Sequence, residues 1–405
     1  MIAENRRARA HLDIPLIVIV YALSLFGILA VAVATYSTSS TPDQPLLNHI
    51  MESIYALRQA IYVAISPIVL AFLISLPTRF YRQHATLLYW SATGLITAVW
   101  VFNRATGVKQ WLDLFMNFTI QPTEFAKLTI IIMLARIMSS QEKPMSDRHA
   151  IFRTLLILGL PSAVIILSGE TGSFFVIAFL FVFMLWFAKV DFRVLFVMFA
   201  LVALLVLAVY AYSMASGSDD YRLLRIKSFF DRDAYPEGAY QQTHSMTAIG
   251  SGGFSGRGTF VDDSWYQLNY TPADWTDFIF ATIGEAWGFV GCAGVLVAYL
   301  LMILRMLWLA RYTRDRFGML IIIGVTGMFT FHVIENIGMT TGLLPVTGIP
   351  LPFLSYGGSN MMTNMGGVGL VLNATRNRSL NVSVSTPQTF YNPYRIHKRF
   401  KTKSY

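Results

Sequence analysis

The sequence predicts an all-α polytopic membrane protein with about ten transmembrane helices and a large extracytoplasmic loop between helices 7 and 8. Of the 405 residues, 55% are hydrophobic and only 13% are charged, and the mean hydropathy is +0.54. Such a chain is far too apolar for an ordinary soluble domain. Apolar runs long enough to cross a bilayer recur along it. Basic residues collect in every second loop between these runs, as they do in membrane proteins.

Hydropathy and length place each membrane segment in turn. The first apolar run is longer than the core of a signal peptide and has no convincing cleavage site, so we expect it to remain as a helix. The ten predicted spans are 14–35, 56–75, 86–101, 120–138, 151–168, 172–188, 192–213, 276–307, 318–338 and 353–373.

The alternation of basic loops predicts the orientation. Arginines and lysines precede the first span, follow spans 2, 4, 6 and 8, and fill the tail, so both termini are expected in the cytoplasm. We therefore divide the chain into a cytoplasmic N-terminus (1–13), a membrane domain (14–373) and a basic cytoplasmic tail (374–405). The long loop 214–275 then faces outward, and its length predicts a functional element with some helix of its own.

Composition also excludes several classes of function. The formal charge is +9, but the basic residues form no aromatic-interleaved face, so membrane orientation explains them better than nucleic-acid binding does. The single cysteine, Cys292, allows no intrachain disulfide and indicates neither a metal site nor a nucleophile.

Asp277 is the first candidate for chemistry. It lies where the outward loop 214–275 meets the eighth span, and a carboxylate at the mouth of a membrane helix is costly unless it has a function. Glu285 follows about two turns later. The glycine-rich stretch 250–258 precedes this junction, follows no strand and lacks a Gly-Lys-Ser/Thr ending, so nucleotide binding is not expected. Its glycines are expected to let the backbone approach a ligand or adopt positive φ.

A short outward loop before the fourth span carries Arg104, Lys109 and Trp111. The two cations suit a phosphate-bearing headgroup, Arg104 as a planar fork and Lys109 as a point charge. Trp111 suits the boundary between headgroups and hydrocarbon. An ordinary interfacial belt explains the same residues.

The stretch 121–127 begins the fourth span and places Glu124 and Lys127 on one helix face, where they can pair. Inside a bilayer such a pair faces protein or a wet cavity. It either fastens two helices or contacts a substrate, and the residues leave both readings open. Glu170, at the head of the sixth span, is explained by capping at the positive end of the helix dipole.

The stretch 336–359 is unusually rich in glycine and proline for a membrane segment. Broken backbone at membrane depth is tolerated only where it is buried in protein or lines a wet cavity. Ser355, Tyr356 and Ser359 are then expected on the cavity wall. A purely structural re-entrant turn is the alternative.

These motifs together resemble the SEDS (shape, elongation, division and sporulation) family, and the stretch Leu344-Pro-Val-Thr-Gly-Ile-Pro-Leu-Pro352 is closer to its RodA branch than to its FtsW branch. The resemblance covers nearly the whole chain. The stretches that carry it are Gln121-Pro-Thr-Glu…Lys127, the glycine-rich 250–258, Thr276-Asp-Phe-Ile-Phe-Ala281 and Gly348-Ile-Pro-Leu-Pro-Phe-Leu-Ser-Tyr-Gly-Gly-Ser359.

The resemblance implies a membrane glycosyltransferase that polymerises lipid II into peptidoglycan at the outer face of the plasma membrane during cell elongation. It implies a class B penicillin-binding protein as partner, together with other proteins of the elongation complex. Asp277 matches the family's essential aspartate, and Trp111, Lys127 and the turn 355–358 match other motif positions. The chain departs from the family pattern around Glu170 and Glu285, whose roles stay unassigned.

On this interpretation Asp277 is the general base that takes a proton from the acceptor hydroxyl. Basic residues offset the pyrophosphate charge, with or without a divalent cation such as Mg or Mn; no other cofactor is expected. A lipid-linked precursor flippase and a membrane scaffold of the wall-synthesis complex remain as alternatives. The residues expected to contact the substrate are Arg104, Lys109, Trp111, Glu124, Lys127, Ser355, Tyr356 and Ser359.

Overall fold

The structure, a computed structural model, describes residues 12–36, 46–103, 111–113, 119–141, 144–145, 147–201, 204, 221–265 and 274–376. This part of the chain is mainly helical, which confirms the predicted fold class. A short antiparallel ribbon pairs β1 (Leu112–Asp113) with β2 (Thr119–Ile120). The helices are α1 (Ile14–Ala34), α2 (Leu46–Glu52), α3 (Ile54–Ser75), α4 (Thr78–Phe102), α5 (Pro122–Ser139), α6 (Arg148–Ser168), α7 (Thr171–Phe187), α8 (Phe192–Leu201), α9 (Tyr221–Phe230), α10 (Pro236–Ser251), α11 (Ile279–Tyr312), α12 (Arg316–Thr340) and α13 (Gly358–Arg376).

Ten of these helices correspond to the ten predicted spans, although the predicted end of the seventh span lies outside the described residues. Within the described ranges, six helices are long and apolar enough to cross a membrane, namely α1, α3, α4, α6, α11 and α12. The loop 214–275, which the basic loops predict to face outward, contains α9 and α10, which confirms that it has helical structure of its own.

Two boundaries differ from the prediction for identifiable reasons. Helix α4 begins at Thr78 rather than at 86, because its polar first turns break the apolar pattern but not the backbone hydrogen bonds. Helix α13 begins at Gly358 rather than at 353. The five residues before it form turns in which Phe353 and Gly357 have positive φ, a conformation that no right-handed helix accepts.

Helix α12 forms the centre of the bundle. Of its most apolar 18-residue window 78% is buried, against 22–50% for the other five long helices. It packs against α5, α7, α11 and α13. A helix that is buried nearly all round has no lipid-facing side, so any polar residue on α12 must find its partners inside the protein.

Helix α1 is fixed at its beginning by Asp13. The Asp13 carboxylate accepts the backbone N–H of Leu16 (3.2 Å) as an N-cap. It also accepts two bonds from the guanidinium of Arg305 on α11, at 2.7 and 3.0 Å. The same group therefore caps one helix and joins it to another, in the bidentate geometry that arginine favours.

The glycine-rich stretch 250–258 packs against a break in α11. Helix α11 consists of two helical segments that meet at Gly288, whose φ of 61° and ψ of −156° are not helical. Backbone groups released by the break pair with the glycine-rich stretch. The bonds are Arg257 N to Glu285 O (2.9 Å), Gly258 N to Ala286 O (3.1 Å), Phe289 N to Gly253 O (2.9 Å) and Val290 N to Phe254 O (3.2 Å).

Gly256 shows why this stretch requires glycine. Its φ is +85°, and a Cβ there would lie 2.2 Å from the carbonyl oxygen of Ala286. The expected positive φ is confirmed. The backbone that these glycines approach in the structure is that of α11.

The contact between the glycine-rich stretch and α11 also explains why Glu285 is buried. Its side chain is fully buried, and its Oε1 accepts the backbone N–H of Trp265 (2.8 Å) and lies 3.3 Å from Nη1 of Arg257. Glu285 therefore fastens the outward loop to α11.

We expect Gly256→Ala to reduce the yield of folded protein, because the new methyl overlaps the backbone of α11 and the positive φ strains an L side chain. Overpacking of this kind costs about 1–3 kcal/mol. Thermal unfolding of the purified protein in detergent measures the effect. Gly250→Ala is the control, since a Cβ at Gly250 meets nothing within 4 Å. Equal stability of the two variants would contradict the predicted contact.

Candidate active site

A polar cavity of about 840 Å³ opens at the end of the bundle where α5 and α7 begin. Its wall combines two loops from distant parts of the chain, around Asp277 and Gly348, with the first turns of α5 and α7. Six of the residues that the sequence singled out line it, namely Trp111, Glu124, Lys127, Asp277, Tyr356 and Ser359. It also contains Glu170 and Arg225.

The turn that carries Asp277 is held by three consecutive backbone carbonyls. Each accepts a hydrogen bond from the glycine- and proline-rich part of the chain or from α12. The bonds run from Tyr356 N to Trp275 O (3.0 Å), from Ser355 Oγ to Thr276 O (2.6 Å) and from Asn336 Nδ2 to Asp277 O (2.7 Å). Bonds to successive peptide groups fix both the position and the orientation of the Asp277 side chain.

The Asp277 carboxylate lies between the backbone at Gly348 and the guanidinium of Arg225. A Cβ at Gly348, whose φ is +74°, would lie 3.3 Å from Oδ2 of Asp277 and 3.8 Å from Nη1 of Arg225, so glycine permits this close approach. Burial raises the pKa of Asp277 to about 6, and the positive charge of Arg225 opposes that rise. Near pH 7 the carboxylate is mostly ionised and is a competent proton acceptor.

The segment 345–357 crosses the site as turns and extended chain with a single helical turn at Leu351–Ser355, and side chains of neighbouring helices bind several of its remaining backbone groups. Asn336 donates to Ile349 O (2.7 Å), and Gln59 of α3 both donates to Ser355 O (3.1 Å) and accepts from Gly357 N (3.3 Å). Tyr299 of α11 donates to Pro352 O. The predicted broken backbone beside a cavity is confirmed, and its cost is offset by these partners.

Ser355, expected on the cavity wall, lies behind it. Its side chain is fully buried, donates to Thr276 O and accepts from Leu351 N (2.8 Å). Ser359 does line the cavity, and its hydroxyl accepts the N–H of Gln121 (3.0 Å). Tyr356 lines it as well. The turn 355–359 thus contains one serine that shapes the wall from behind and two side chains, Tyr356 and Ser359, that face the cavity.

Glu124 and Lys127 form the predicted ion pair at the cavity floor. Lys127 Nζ lies 2.8 Å from Glu124 Oε1, and the two side chains are only 2% and 4% exposed. Lys127 Nζ also lies 3.2 Å from His332 Nε2, while His332 Nδ1 lies 3.3 Å from Pro350 O. An ammonium only donates, so Nε2 accepts and Nδ1 carries the proton, an assignment made from the partners.

Glu170 belongs to the cavity rather than to a helix cap. It occupies the N-cap position of α7, yet its side chain makes no capping bond. Its Oε1 accepts a hydrogen bond from Gln121 (2.8 Å). Burial raises the pKa of Glu170, the hydrogen bond from Gln121 opposes that shift, and the nearby charge of Glu124 adds to it.

Sequence reasoning missed a row of polar residues on α12. His332, Glu335 and Asn336 lie at positions i, i+3 and i+4, and all three are buried. Glu335 accepts a hydrogen bond from the hydroxyl of Thr347 and interacts electrostatically with Asp277. The signal was present, because three polar residues on one face of an apolar membrane helix mark an interior face. Arg225 gave no such signal, since it lies among other charges in the outward loop.

Arg104 and Lys109, two of the predicted substrate contacts, lie outside the described residues. Trp111 is 38% exposed at the cavity edge, and its carbonyl accepts a bond from Asn103 (2.7 Å).

Comparison with known proteins identifies the family. Residues 15–380 match the family model FtsW/RodA/SpoVE, described as "cell cycle protein". The chain belongs to this family. It is 30% identical over 374 residues to the peptidoglycan glycosyltransferase MrdB of Escherichia coli K12, covering 92% of this chain and 95% of that protein. It is 32% identical over 390 residues to a probable peptidoglycan glycosyltransferase FtsW of Thiomicrospira cyclica, covering 94% and 96%.

The fold of this FtsW/RodA/SpoVE family member is also similar to that of a chain in a solved peptidoglycan synthase complex that coordinates polymerization and crosslinking. The TM-score is 0.74 at 26% identity, covering 91% of this chain and 99% of the other. The resemblance seen in the motifs is therefore confirmed. The predicted class of enzyme agrees with the names of both relatives.

We expect Lys127→Met to lower the amount of folded protein in the membrane, because it leaves the buried Glu124 carboxylate without its partner and His332 without its donor. Removing one member of a buried ion pair costs about 3–5 kcal/mol. Quantitative immunoblotting of membranes, with size-exclusion profiles in detergent, measures the loss.

The double variant Glu124→Gln, Lys127→Met is the control for the buried charge, and it should recover much of the lost protein. Normal abundance of Lys127→Met with activity abolished would contradict a fastening role and place Lys127 at the substrate.

Proposed function

We propose that this chain is the peptidoglycan polymerase that transfers glycan from lipid II to a growing strand at the outer face of the bacterial plasma membrane, during cell elongation. One observation carries the proposal. The Asp277 carboxylate, held through three successive backbone carbonyls, faces a polar cavity beside Arg225. The names of the relatives, peptidoglycan glycosyltransferases, support the same reaction class.

The proposed step is a single displacement with Asp277 as general base. The acceptor's 4-hydroxyl attacks the anomeric carbon of the donor while an Asp277 carboxylate oxygen takes the hydroxyl proton. The bond from that carbon to the pyrophosphate oxygen breaks, and the lipid pyrophosphate leaves with the electron pair. One displacement inverts the centre, so an α-linked donor gives a β-linked product.

Departure of pyrophosphate needs positive charge more than a proton. Among the described residues Arg225 lies in the cavity wall beside Asp277, whereas Lys127 is engaged by Glu124 and His332. We assign to Arg225 the role of binding the pyrophosphate, together with Arg104 and Lys109 of the loop before the fourth predicted span. Fixed cations aimed at developing charge are the usual means of stabilising such a transition state.

A divalent cation such as Mg or Mn fits this site only as a partner of the substrate. In the part of the chain that the structure describes, no group of three or more His, Cys, Asp and Glu is placed to hold an ion. Magnesium is commonly bound by one or two carboxylates plus substrate phosphates. Glu170, whose Oε2 is buried without a hydrogen-bond partner, and Asp277 are the residues that would hold it. The ion would supply further charge to offset the leaving pyrophosphate.

The alternatives differ in where they need polar groups. A flippase needs a polar route on both sides of the midplane, and a scaffold needs acids only to fasten helices. The acids that line this cavity collect at one end of the bundle, and Asp277 lies at the polar cavity rather than between two packed helices. We therefore favour the polymerase.

Partner and orientation belong to the same proposal. We place both termini in the cytoplasm and the cavity outward, following the basic loops. A class B penicillin-binding protein is the proposed partner, because the structurally similar chain belongs to a complex that joins polymerization to crosslinking.

Asp277→Asn should lower polymerisation by roughly 10²–10⁴-fold, because the amide keeps the size of the side chain but cannot take a proton. Purified protein with labelled lipid II and the partner transpeptidase, assayed for glycan chain formation, gives the measurement. Asp263→Asn makes the same change at an exposed site in the outward loop and should leave the rate nearly unchanged. Near-parental synthesis by Asp277→Asn at equal abundance would sink the catalytic assignment.

The pH profile is a second readout of the same prediction. The pKa of Asp277 is about 6, and only the ionised carboxylate accepts a proton. The kcat/KM of the parent should therefore rise as pH increases through about 6 and then level off. The residual activity of Asp277→Asn should lack that rise. If Asp277 were purely structural, the kcat/KM of Asp277→Asn would still rise with pH as that of the parent does.

Orientation is tested with single cysteines in a Cys292→Ala background. Ser251→Cys, at the exposed end of α10, should react with a membrane-impermeant thiol reagent on intact spheroplasts. Ser140→Cys, exposed after α5 at the other end of the bundle, should react only after the membrane is opened. The reverse pattern would place the cavity on the cytoplasmic side.

A further inference from the structure

A second pocket lies far from the cavity that contains Asp277. It has a volume of about 250 Å³ and lies between α4, α5 and α6. Its polar lining residues are Thr86, Arg136, Ser140, Gln141 and Arg153. None of the proposed chemistry uses these residues.

Helix lengths fix the level of this pocket. Helix α5 begins at the cavity, and Arg136 follows Gln121 by fifteen residues, which is about 22 Å along the helix. Helix α6 ends at the cavity, and Arg153 precedes Ser168 by the same number of residues. Both arginines therefore lie near the opposite membrane surface, because the hydrocarbon core is about 30 Å thick.

The pocket is electropositive. Two guanidinium groups line it, and of the described residues in its wall none is acidic. Arg136 is oriented by a bond to the Thr86 hydroxyl (2.8 Å). A third arginine, Arg316, donates to the backbone carbonyl of Gln141 (2.6 Å).

Two described acids at this end of the bundle, Asp315 and Asp147, have partners of their own. Asp315 pairs with Arg82 (2.5 Å) and accepts the N–H of Gly318 (3.2 Å) at the start of α12. Asp147 lies 3.6 Å from His149, and its side chain is 67% exposed. Neither carboxylate lines the pocket, and among the residues that the structure describes no acid in its wall offsets the charge of Arg136 and Arg153.

We propose that this pocket binds a phosphate group, namely that of the headgroup of an anionic phospholipid in the leaflet opposite the cavity. A planar guanidinium matches phosphate oxygens in a bidentate manner. Basic pockets between membrane helices on the cytoplasmic side are suited to anionic headgroups. The bound lipid joins α4, α5 and α6 at their inner ends. The site is separate from the proposed catalytic reaction, and its test does not depend on that reaction.

The test titrates the full-length purified protein in detergent with phosphatidylglycerol or phosphatidylcholine and counts bound lipid by native mass spectrometry. The parent should retain phosphatidylglycerol in preference to phosphatidylcholine. Arg153→Gln should weaken binding of phosphatidylglycerol on the order of ten-fold, the loss of one charge-assisted hydrogen bond. Arg153 is exposed, so this variant should fold.

Arg79→Gln is the matched control, because it removes an equal, exposed charge at the same end of the bundle without lining the pocket. It should leave lipid binding nearly unchanged. Equal losses in the two variants would indicate diffuse surface charge and overturn the pocket assignment, as would an Arg153→Gln protein that binds like the parent. A large excess of inorganic phosphate is the last arm. If the lipid stays bound, the natural ligand is the phospholipid headgroup. If inorganic phosphate displaces it, the lipid assignment is wrong and the pocket binds a free phosphate compound.

Discussion

The site depends on one amide. Asn336 of α12 donates both N–H groups of its side chain, one to the carbonyl of Asp277 and one to that of Ile349, each at 2.7 Å. Two non-helical segments, 274–278 and 345–357, meet at this point, and an unpaired peptide group in a dry interior costs several kcal/mol. The central helix can supply this partner because it is buried on nearly every side. The same amide that satisfies the broken backbone therefore also sets where the candidate base stands.

The buried charges at the cavity floor also join separate parts of the fold, as the Asn336 amide does. Lys127 Nζ donates to Glu124 and to His332 Nε2. His332 Nδ1 in turn donates to the backbone carbonyl of Pro350, in the segment 345–357. An ion pair of this kind contributes little net stability, but breaking it is expensive. Its consequence here is geometric. It joins α5, α12 and the cavity wall, so three parts of the fold hold the polar floor in place.

The carboxylate of Asp277 is poised by opposing effects. Burial raises its pKa and the guanidinium of Arg225 lowers it again, with a balance near 6. A base whose pKa lies just below the working pH is mostly ionised and still takes up a proton readily. Arg225 comes from α9 in the outward loop, and α10 packs against α11 through the glycine-rich stretch. The loop is thus part of the site rather than a cover over it.

The sequence by itself determined the membrane class, the positions of the apolar helices and several of the residues that line the cavity, because hydropathy, helical spacing and the cost of a charge in lipid are local properties. Asp277 and the pair of Glu124 with Lys127 could be found in this way. Only the tertiary structure decided which side chains face the cavity and which support it. Ser355 and Ser359 look alike in the sequence, yet one is buried behind the wall and the other faces the cavity. The sequence left open what the backbone of the glycine-rich stretch would approach, and the structure pairs it with the break in α11. The partner of an unpaired backbone group is decided by packing across the fold and not by neighbours in the chain.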